Sequence, residues 1–177
     1  MELIKILSTN DEHWIDVVDL YTASFPERER RNVNTLEIVL TDKRFHAVKF
    51  VINNGFAALM FYWQLNNLVF LEHFAVTENN RGKNYGKQMM EWLLKLPATY
   101  FLLEVEHPFD DNSQRRIAFY ERLGFSTNHY EYFQPPYRVS DDPLPLLLMS
   151  KPEIESEERF QLLIRELHEV VYDQFLL

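Results

Sequence analysis

The sequence predicts an α/β (α+β) protein with a mixed, mostly antiparallel sheet flanked by helices. Phe45–Ile52, Phe56–Leu65 and Leu68–Val76 are consecutive apolar runs rich in aromatic and β-branched residues, and the turn signals Asn53-Asn54-Gly55 and Asn66-Asn67 separate them. That pattern is a three-stranded antiparallel meander. Segments with apolar residues at helical spacing lie before and after it. The 177 residues, 46 % hydrophobic and 15 % aromatic, suffice for one domain with a core and argue against disorder.

Each element has its own justification. Glu2–Leu7 reads as a short strand. Asp11–Phe25 places Trp14, Val17, Val18 and Tyr21 at helical spacing, with Asn10 or Asp11 as a cap and Pro26 at its end. Val33–Leu40 is a second helix, apolar at Leu36, Val39 and Leu40. After the meander, Tyr85–Lys95 carries Met89, Met90, Leu93 and Leu94 on one stripe, and Pro97 stops it. Tyr100–Glu106 is an apolar strand. Ser113–Leu123 is helical, with Gly124 placed to end it. Phe125–Phe133 and Leu144–Ser150 are two further strands, separated by the stiff turn Gln134–Tyr137 (QPPY). Glu153–Phe175 is a long amphipathic helix with Phe160, Leu163, Ile164, Leu167, Val170, Val171 and Phe175 on one stripe. The order is β α α β β β α β α β β α, without repeats or a linker. Residues 1–152 form the domain. Residues 153–177 add a helix that packs on it or lies at a homodimer interface.

Composition narrows the function. Eighteen Lys and Arg against 27 Asp and Glu leave a net charge of −9, which argues against a nucleic-acid partner and favours a cationic small substrate. There is no cysteine, so disulfides, thiolate metal sites and a cysteine nucleophile are excluded. His13, His46, His107, His129 and His168 show no metal-ligand spacing. No segment has the apolar length of a membrane span, and the first ten residues do not read as a signal peptide. The expectation is a cytoplasmic protein with no membrane partner and no metal.

The stretch FAVTENNRGKNYGKQMMEWLLK, Phe74 to Lys95, is strand, loop and helix. Arg81, Gly82, Lys83 and Gly86 fall within six residues of a chain that has four glycines. A helix start offers unpartnered N–H groups and partial positive charge, and a loop with small residues lets a phosphate reach them. Chemically this is a pyrophosphate cradle. It is not a P-loop, because Gln88 follows Gly86-Lys87, and it is not a dinucleotide fingerprint, because it has too few glycines and follows an antiparallel meander.

Arg81-Gly82-Lys83-Asn84-Tyr85-Gly86 resembles the Arg/Gln-x-x-Gly-x-Gly/Ala motif of the GNAT N-acetyltransferase superfamily, with Asn84 at the first motif glycine. Asn is among the few residues that enter the left-handed region readily. Ile117–Phe125 (IAFYERLGF) is similar to the same family's FYE-x-LGF ending, and the element order agrees across about residues 1–150. Family members often carry Asn seven residues before the tyrosine; this chain has Ser113 there.

The resemblance implies a GNAT fold with an extra C-terminal helix. It also implies acetyl transfer from acetyl-CoA to an amine, on a small molecule or a peptide, by direct attack in a ternary complex. The alternative is a non-catalytic acyl-CoA sensor of the same fold. By the same resemblance Phe74, Ala75 and Val76 run along the pantetheine arm. Arg81, Gly82, Lys83, Asn84, Tyr85, Gly86 and Lys87 hold the pyrophosphate, Tyr120 protonates the departing thiolate, and Glu72 serves as the base. Strand alternation puts Glu72, Phe74 and Val76 on one face and His73 on the other. Glu104 and Glu106, on the neighbouring strand, can supplement or replace Glu72. Tyr130, Tyr132 and Tyr137 can line an acceptor site.

Overall fold

The structure, a computed structural model, describes residues 2–176. In chain order the elements are β1 (Glu2–Ile6), α1 (Trp14–Ser24), α2 (Val33–Val39), β2 (Phe45–Ile52), β3 (Gly55–Gln64), β4 (Leu68–Val76), α3 (Tyr85–Leu93), β5 (Tyr100–Val105), α4 (Asp111–Glu121), β6 (Ser126–Thr127), β7 (Phe133–Gln134), β8 (Leu144–Pro145), β9 (Leu147–Lys151) and α5 (Glu157–Leu167). Among the described residues, seven strands form one sheet in the order β1-β2-β3-β4-β5-β9-β6, and β7 and β8 make a separate ribbon. Every sheet pair is antiparallel except β4–β5.

The meander forms as its turn residues require. Asn53 and Asn54 both take positive φ, 51° and 61°, in the reversal between β2 and β3. The sheet is apolar on both faces. One face packs with Trp14, Val17 and Tyr21 of α1, Leu36 and Val39 of α2, and Phe160, Leu163 and Leu167 of α5. The other packs with Met89, Met90 and Leu93 of α3 and with Tyr120 of α4. Because both faces are covered, β3 reads as a near-continuous apolar run rather than an alternating one.

The C-terminal half departs from expectation in three places, the first being that the strand expected over Leu144–Ser150 is split, with Leu144–Pro145 in the ribbon and Leu147–Lys151 in the sheet. Phe125–Phe133 is not one strand. Only Ser126–Thr127 joins the sheet, beside β9, and Phe133–Gln134 pairs with Leu144–Pro145 in the ribbon. The expected long helix is α5, which then widens into a π turn at His168–Tyr172 and a short 3₁₀ turn at Asp173–Phe175. The wide turn brings Val171, Tyr172 and Phe175 into the same apolar cluster as α1 and α2. The C-terminal segment is therefore part of one core with the sheet. Among the described residues, no helix is long and apolar enough to cross a membrane.

Leu167 is fully buried at the end of α5. Leu167→Ala will destabilise the protein by about 2–5 kcal/mol, read as a lower urea midpoint with an unchanged slope; a change below about 1 kcal/mol would show that the C-terminal segment is peripheral to the core.

Candidate active site

β4 and β5 run parallel from Leu68↔Tyr100 to Leu71↔Leu103, and there their pairing ends. Beyond it the strands part around a cavity of about 400 Å³. Its walls include Leu71–Val76 of β4, Leu103–Val105 of β5 with Glu106 just past it, Arg116, Phe119 and Tyr120 of α4, Arg81, Phe25, Glu29, Gln134 and Tyr137. Past this point β4 has, among the described residues, no ladder partner on its β5 side, and the Val76 carbonyl there accepts from Arg81 Nε.

A β-bulge sits at this parting. His73 pairs with Phe61 and Leu71 pairs with Tyr62, so Glu72 is the extra residue. The bulge breaks the expected alternation. Glu72 bonds to Trp63 and Tyr137, and the His73 ring meets those of Tyr21 and Phe61 edge-on, so both side chains enter the α1/α2/α5 face. Phe74 and Val76 point to the α3/α4 face. The expectation that Glu72 shares a face with Phe74 and opposes His73 is corrected by this one inserted residue.

The Glu72 side chain is 1 % exposed, and its carboxylate is fully engaged. It accepts from Arg31 Nε at 2.8 Å, Trp63 Nε1 at 2.7 Å and Tyr137 Oη at 3.0 Å. Burial works against its charge, yet the Arg31 guanidinium and these hydrogen bonds hold its pKa below the ordinary value. Arg31 is equally buried. It donates through Nη2 to the Val171 carbonyl at 2.6 Å, its N–H bonds Tyr21 Oη at 2.9 Å, and its guanidinium lies 4.7 Å from the Tyr137 ring centroid. His73 donates from Nε2 to the Glu29 carbonyl at 2.9 Å, and burial lowers its pKa, keeping it neutral. Arg31 Nη1 and His73 Nδ1 are buried without a partner.

Glu104 contrasts with Glu72. Tyr132 and Tyr172 both donate to its carboxylate, the latter at 2.8 Å to Oε2, and no cation pairs with it among the described residues. Burial outweighs these hydrogen bonds and pushes its pKa up to about 7. Glu106, just past β5, pairs instead with Arg116. Tyr120 is 8 % exposed, and its hydroxyl has no hydrogen-bond partner among the described residues; burial pushes its pKa up to about 12.

The loop before α3 has the conformation its residues suggest. Gly82 has φ 74°, and Asn84 is left-handed at φ 64°, ψ 9°. Asn84 is the N-cap of α3, and no side chain caps that end, so the first amides of the helix are open. A Cβ at Gly86 would point at the rings of Phe74 and Phe119, 3.5 and 3.7 Å away, both on the cleft wall. Arg81, Lys83 and Lys87 are exposed around this end, with Arg81 Nε bonded to the Val76 carbonyl at 3.2 Å. Open amides, a left-handed entry and surrounding cations fit a diphosphate. Ser113 does not face it: it closes a reciprocal capping box with Asp110 at the start of α4.

The profile of the acetyltransferase (GNAT) domain matches residues 39–127. A GNAT-family protein from Bacteroides thetaiotaomicron is 30 % identical, with a TM-score of 0.88 over 97 % of this chain and 98 % of the other. The chain belongs to the GNAT acetyltransferase family. More distant structures share the fold. The ribosomal-protein-S18-alanine N-acetyltransferase of Escherichia coli is 18 % identical, with a TM-score of 0.62 over 88 % of this chain and 96 % of that one. An aminoglycoside 6'-N-acetyltransferase complexed with coenzyme A is 16 % identical, with a TM-score of 0.61 over 88 % and 100 %. No curated protein sequence matches significantly.

Within this GNAT protein the cleft gathers Glu72, Phe74, Ala75, Val76, Arg81, Glu104, Glu106, Tyr120 and Tyr137 on one cavity. Lys83, Asn84, Tyr85, Gly86 and Lys87 lie outside its lining, at the α3 start. Tyr130 packs on Phe160 instead. Sequence reasoning missed Arg31, Gln134 and Tyr172. Arg31 sits in the charge run ERERR, which reads as a solvated surface, and only tertiary contacts single it out.

Glu72→Gln will leave the Arg31 charge buried without its counter-ion and cost about 3–5 kcal/mol of stability. Adding Arg31→Met will recover most of the loss. A double variant no more stable than the single one would mean that the pair does not act as a unit.

Proposed function

We propose that the protein transfers an acetyl group from acetyl-CoA to an amine. The observation that carries this reading is that Glu104, Tyr120 and the unpaired main chain of β4 line one cavity where β4 and β5 part. The open amides of Tyr85–Lys87, with Arg81 and Lys83, would hold the pyrophosphate of the coenzyme, and β4 from Phe74 to Val76 would run beside its arm. Acetyl-CoA supplies the activated acyl carbon.

An amine of lysine type has a reference pKa near ~10.4 and is almost wholly protonated at pH 7, so a base must take its proton. Glu104 is better placed for this than Glu72. With a pKa of about 7 it is half ionised at neutral pH, and among the described residues it forms no ion pair. Glu72 is spent on Arg31 and on holding the bulge; it is a positioning residue. Free N–H groups of the bulged strand can accept negative charge on an oxygen of the bound acyl group. Tyr120, at about 12, stays protonated far above the ~8.5 of an ordinary thiol, so it stabilises an emerging thiolate by donating a hydrogen bond rather than by giving up its proton. This support refines the expectation of a full acid.

Three outcomes test the reading. Acetyl-CoA will raise the thermal midpoint of the wild type, and Gly86→Glu, which adds a charged side chain between Phe74 and Phe119, will abolish the rise. An undiminished rise in that variant would remove the cradle assignment. With an amine panel and thiol release as the readout, kcat/KM will climb with pH through about 7 as Glu104 ionises. Glu104→Gln will lower the rate by about 10²–10⁴-fold and remove the inflection near 7, leaving only the rise that follows deprotonation of the amine toward ~10.4; if Glu72→Gln removes it instead while the protein stays folded, Glu72 is the base. Tyr120→Phe will lower turnover by roughly 10- to 1000-fold without weakening acetyl-CoA binding. Tight binding with no turnover on any amine would favour the sensor.

A further inference from the structure

Gln134 is 3 % exposed, among the most buried polar residues of the chain. Its carboxamide makes no hydrogen bond with any described residue. It is also not sealed off, since the buried side-chain polar atoms left without a partner are Arg31 Nη1 and His73 Nδ1. Part of the little surface Gln134 keeps therefore belongs to its amide head, and Gln134 is one of the residues on the wall of the cleft. A carboxamide enclosed in this way normally has partners, because an unmade hydrogen bond in a confined site is costly.

The backbone around Gln134 fixes the head in place. β7 pairs Gln134 with Leu144, and Pro135 and Pro136 follow at once, stiffening the turn. Two residues earlier Tyr132 donates to Glu104, and three residues later Tyr137 donates to Glu72. Gln134 thus belongs to the same framework as the candidate base.

Charge narrows what the head can read. Of the acids on the cleft, Glu72 is neutralised by Arg31 and Glu106 by Arg116. Glu29 and Glu104 have no cation partner among the described residues, and burial together with nearby Glu106 raises the pKa of Glu29. A cationic amine suits these acids. A carboxylate beside that amine would meet repulsion. A carboxamide donates through its nitrogen and accepts through its oxygen, so its complement is an uncharged group that does both.

We propose that Gln134 selects the acceptor by hydrogen-bonding a neutral amide carried close to the reacting amine. The acceptor is then an amino amide, not a simple alkylamine or a free amino acid. This rests on the acetyl-transfer reading for the fate of the amine, but the recognition itself is a binding property.

The test uses three probes of nearly equal shape: alaninamide, alanine and 1,2-dimethylpropylamine. The side-chain NH₂ signals of Gln134 are followed by ¹H–¹⁵N NMR on the wild-type protein, with and without coenzyme A. Triple-resonance experiments assign them, and their loss in Gln134→Met confirms the assignment. Alaninamide is expected to move these signals at concentrations where the other two do not. In the thiol-release assay, Gln134→Met is expected to cut the preference for alaninamide over 1,2-dimethylpropylamine by about 10-fold or more, with cooperative unfolding retained. A tetrapeptide with a free N-terminus, run beside alaninamide, tells a peptide source of the amide from a small-molecule one. The proposal is overturned if all three probes move the signals alike, if none does up to 100 mM (the amide then holding only water), or if Gln134→Met keeps the wild-type preference. Binding of alaninamide without thiol release would overturn acetyl transfer and leave the role of Gln134 standing.

Discussion

The site depends on one inserted residue in β4 and on the charge that holds it. Without the bulge, Glu72 would follow Leu71 in strict alternation, His73 would face α3 and α4, and the strand would continue beside β5. With it, two successive polar side chains turn into the same face and the strand leaves its partner. A carboxylate driven into an apolar layer cannot stay ionised alone. Arg31 is its counter-charge, and Trp63 and Tyr137 take up remaining lone pairs. Such a pair adds little net stability, because desolvating two ions offsets most of their attraction. What it supplies is placement. Arg31 is itself tied to Tyr21 of α1 and to Val171 of the C-terminal turn, so one ion pair joins three distant parts of the chain at the base of the cleft.

Glu72 and Glu104 then differ for a reason that can be stated in atoms. They lie on neighbouring strands, both side chains reach the same helical face, and both are buried. Glu72 meets a guanidinium, and its pKa falls. Glu104 meets only phenols, which can donate a hydrogen bond but bring no charge, and burial carries its pKa up to about 7. Two carboxyls of one type are thus pushed apart by their surroundings, one held ionised as structure and the other balanced between its forms. The phenols come from the loop after β6 and from the π turn after α5. The wide turn matters for this reason: it carries Tyr172 inward to Glu104 while Val171 offers its carbonyl to Arg31.

Much of this could be read in the sequence, and the line between what could and what could not is physical. The meander, the helical stripes and the element order follow from local patterns. The left-handed entry to α3 was legible because it is backbone geometry: Asn84 stands where a glycine is usual, and it is left-handed because Asn tolerates that region. The bulge was not legible. Leu71-Glu72-His73 carries no glycine and reads as ordinary alternation, so the slip is set by the pairing with β3 and not by local preference. The break between β6 and β7 was hidden in the same way, since Phe125–Phe133 is apolar enough for a strand but only Ser126–Thr127 finds an edge to join. Arg31 and Glu104 have no local signature, because their roles arise from partners 41 and 68 residues away in the chain, Glu72 and Tyr172.

The site also divides along the chain. The GNAT profile covers residues 39–127, and within it lie the cradle, the bulged strand, Glu104 and Tyr120. On the proposed function, those parts would serve what is common to acyl transfer. Glu29 and Arg31 precede that stretch, and Tyr132, Gln134, Tyr137 and Tyr172 follow it. These outer residues line the remaining cleft wall or anchor Glu72 and Glu104. Walls that choose an acceptor are free to vary while the transfer chemistry is not, so they belong on connecting segments laid over a fixed sheet. The price of placing them there is that loose segments must be pinned. Here the pins are the buried groups themselves: Arg31 holds the N-terminal segment, Tyr137 the turn after the ribbon strand, and Tyr172 the C-terminal turn, each bonded to one of the two acids. This side of the cleft is therefore as rigid as the carboxylates it is tied to, and a change that frees either acid loosens that wall as well.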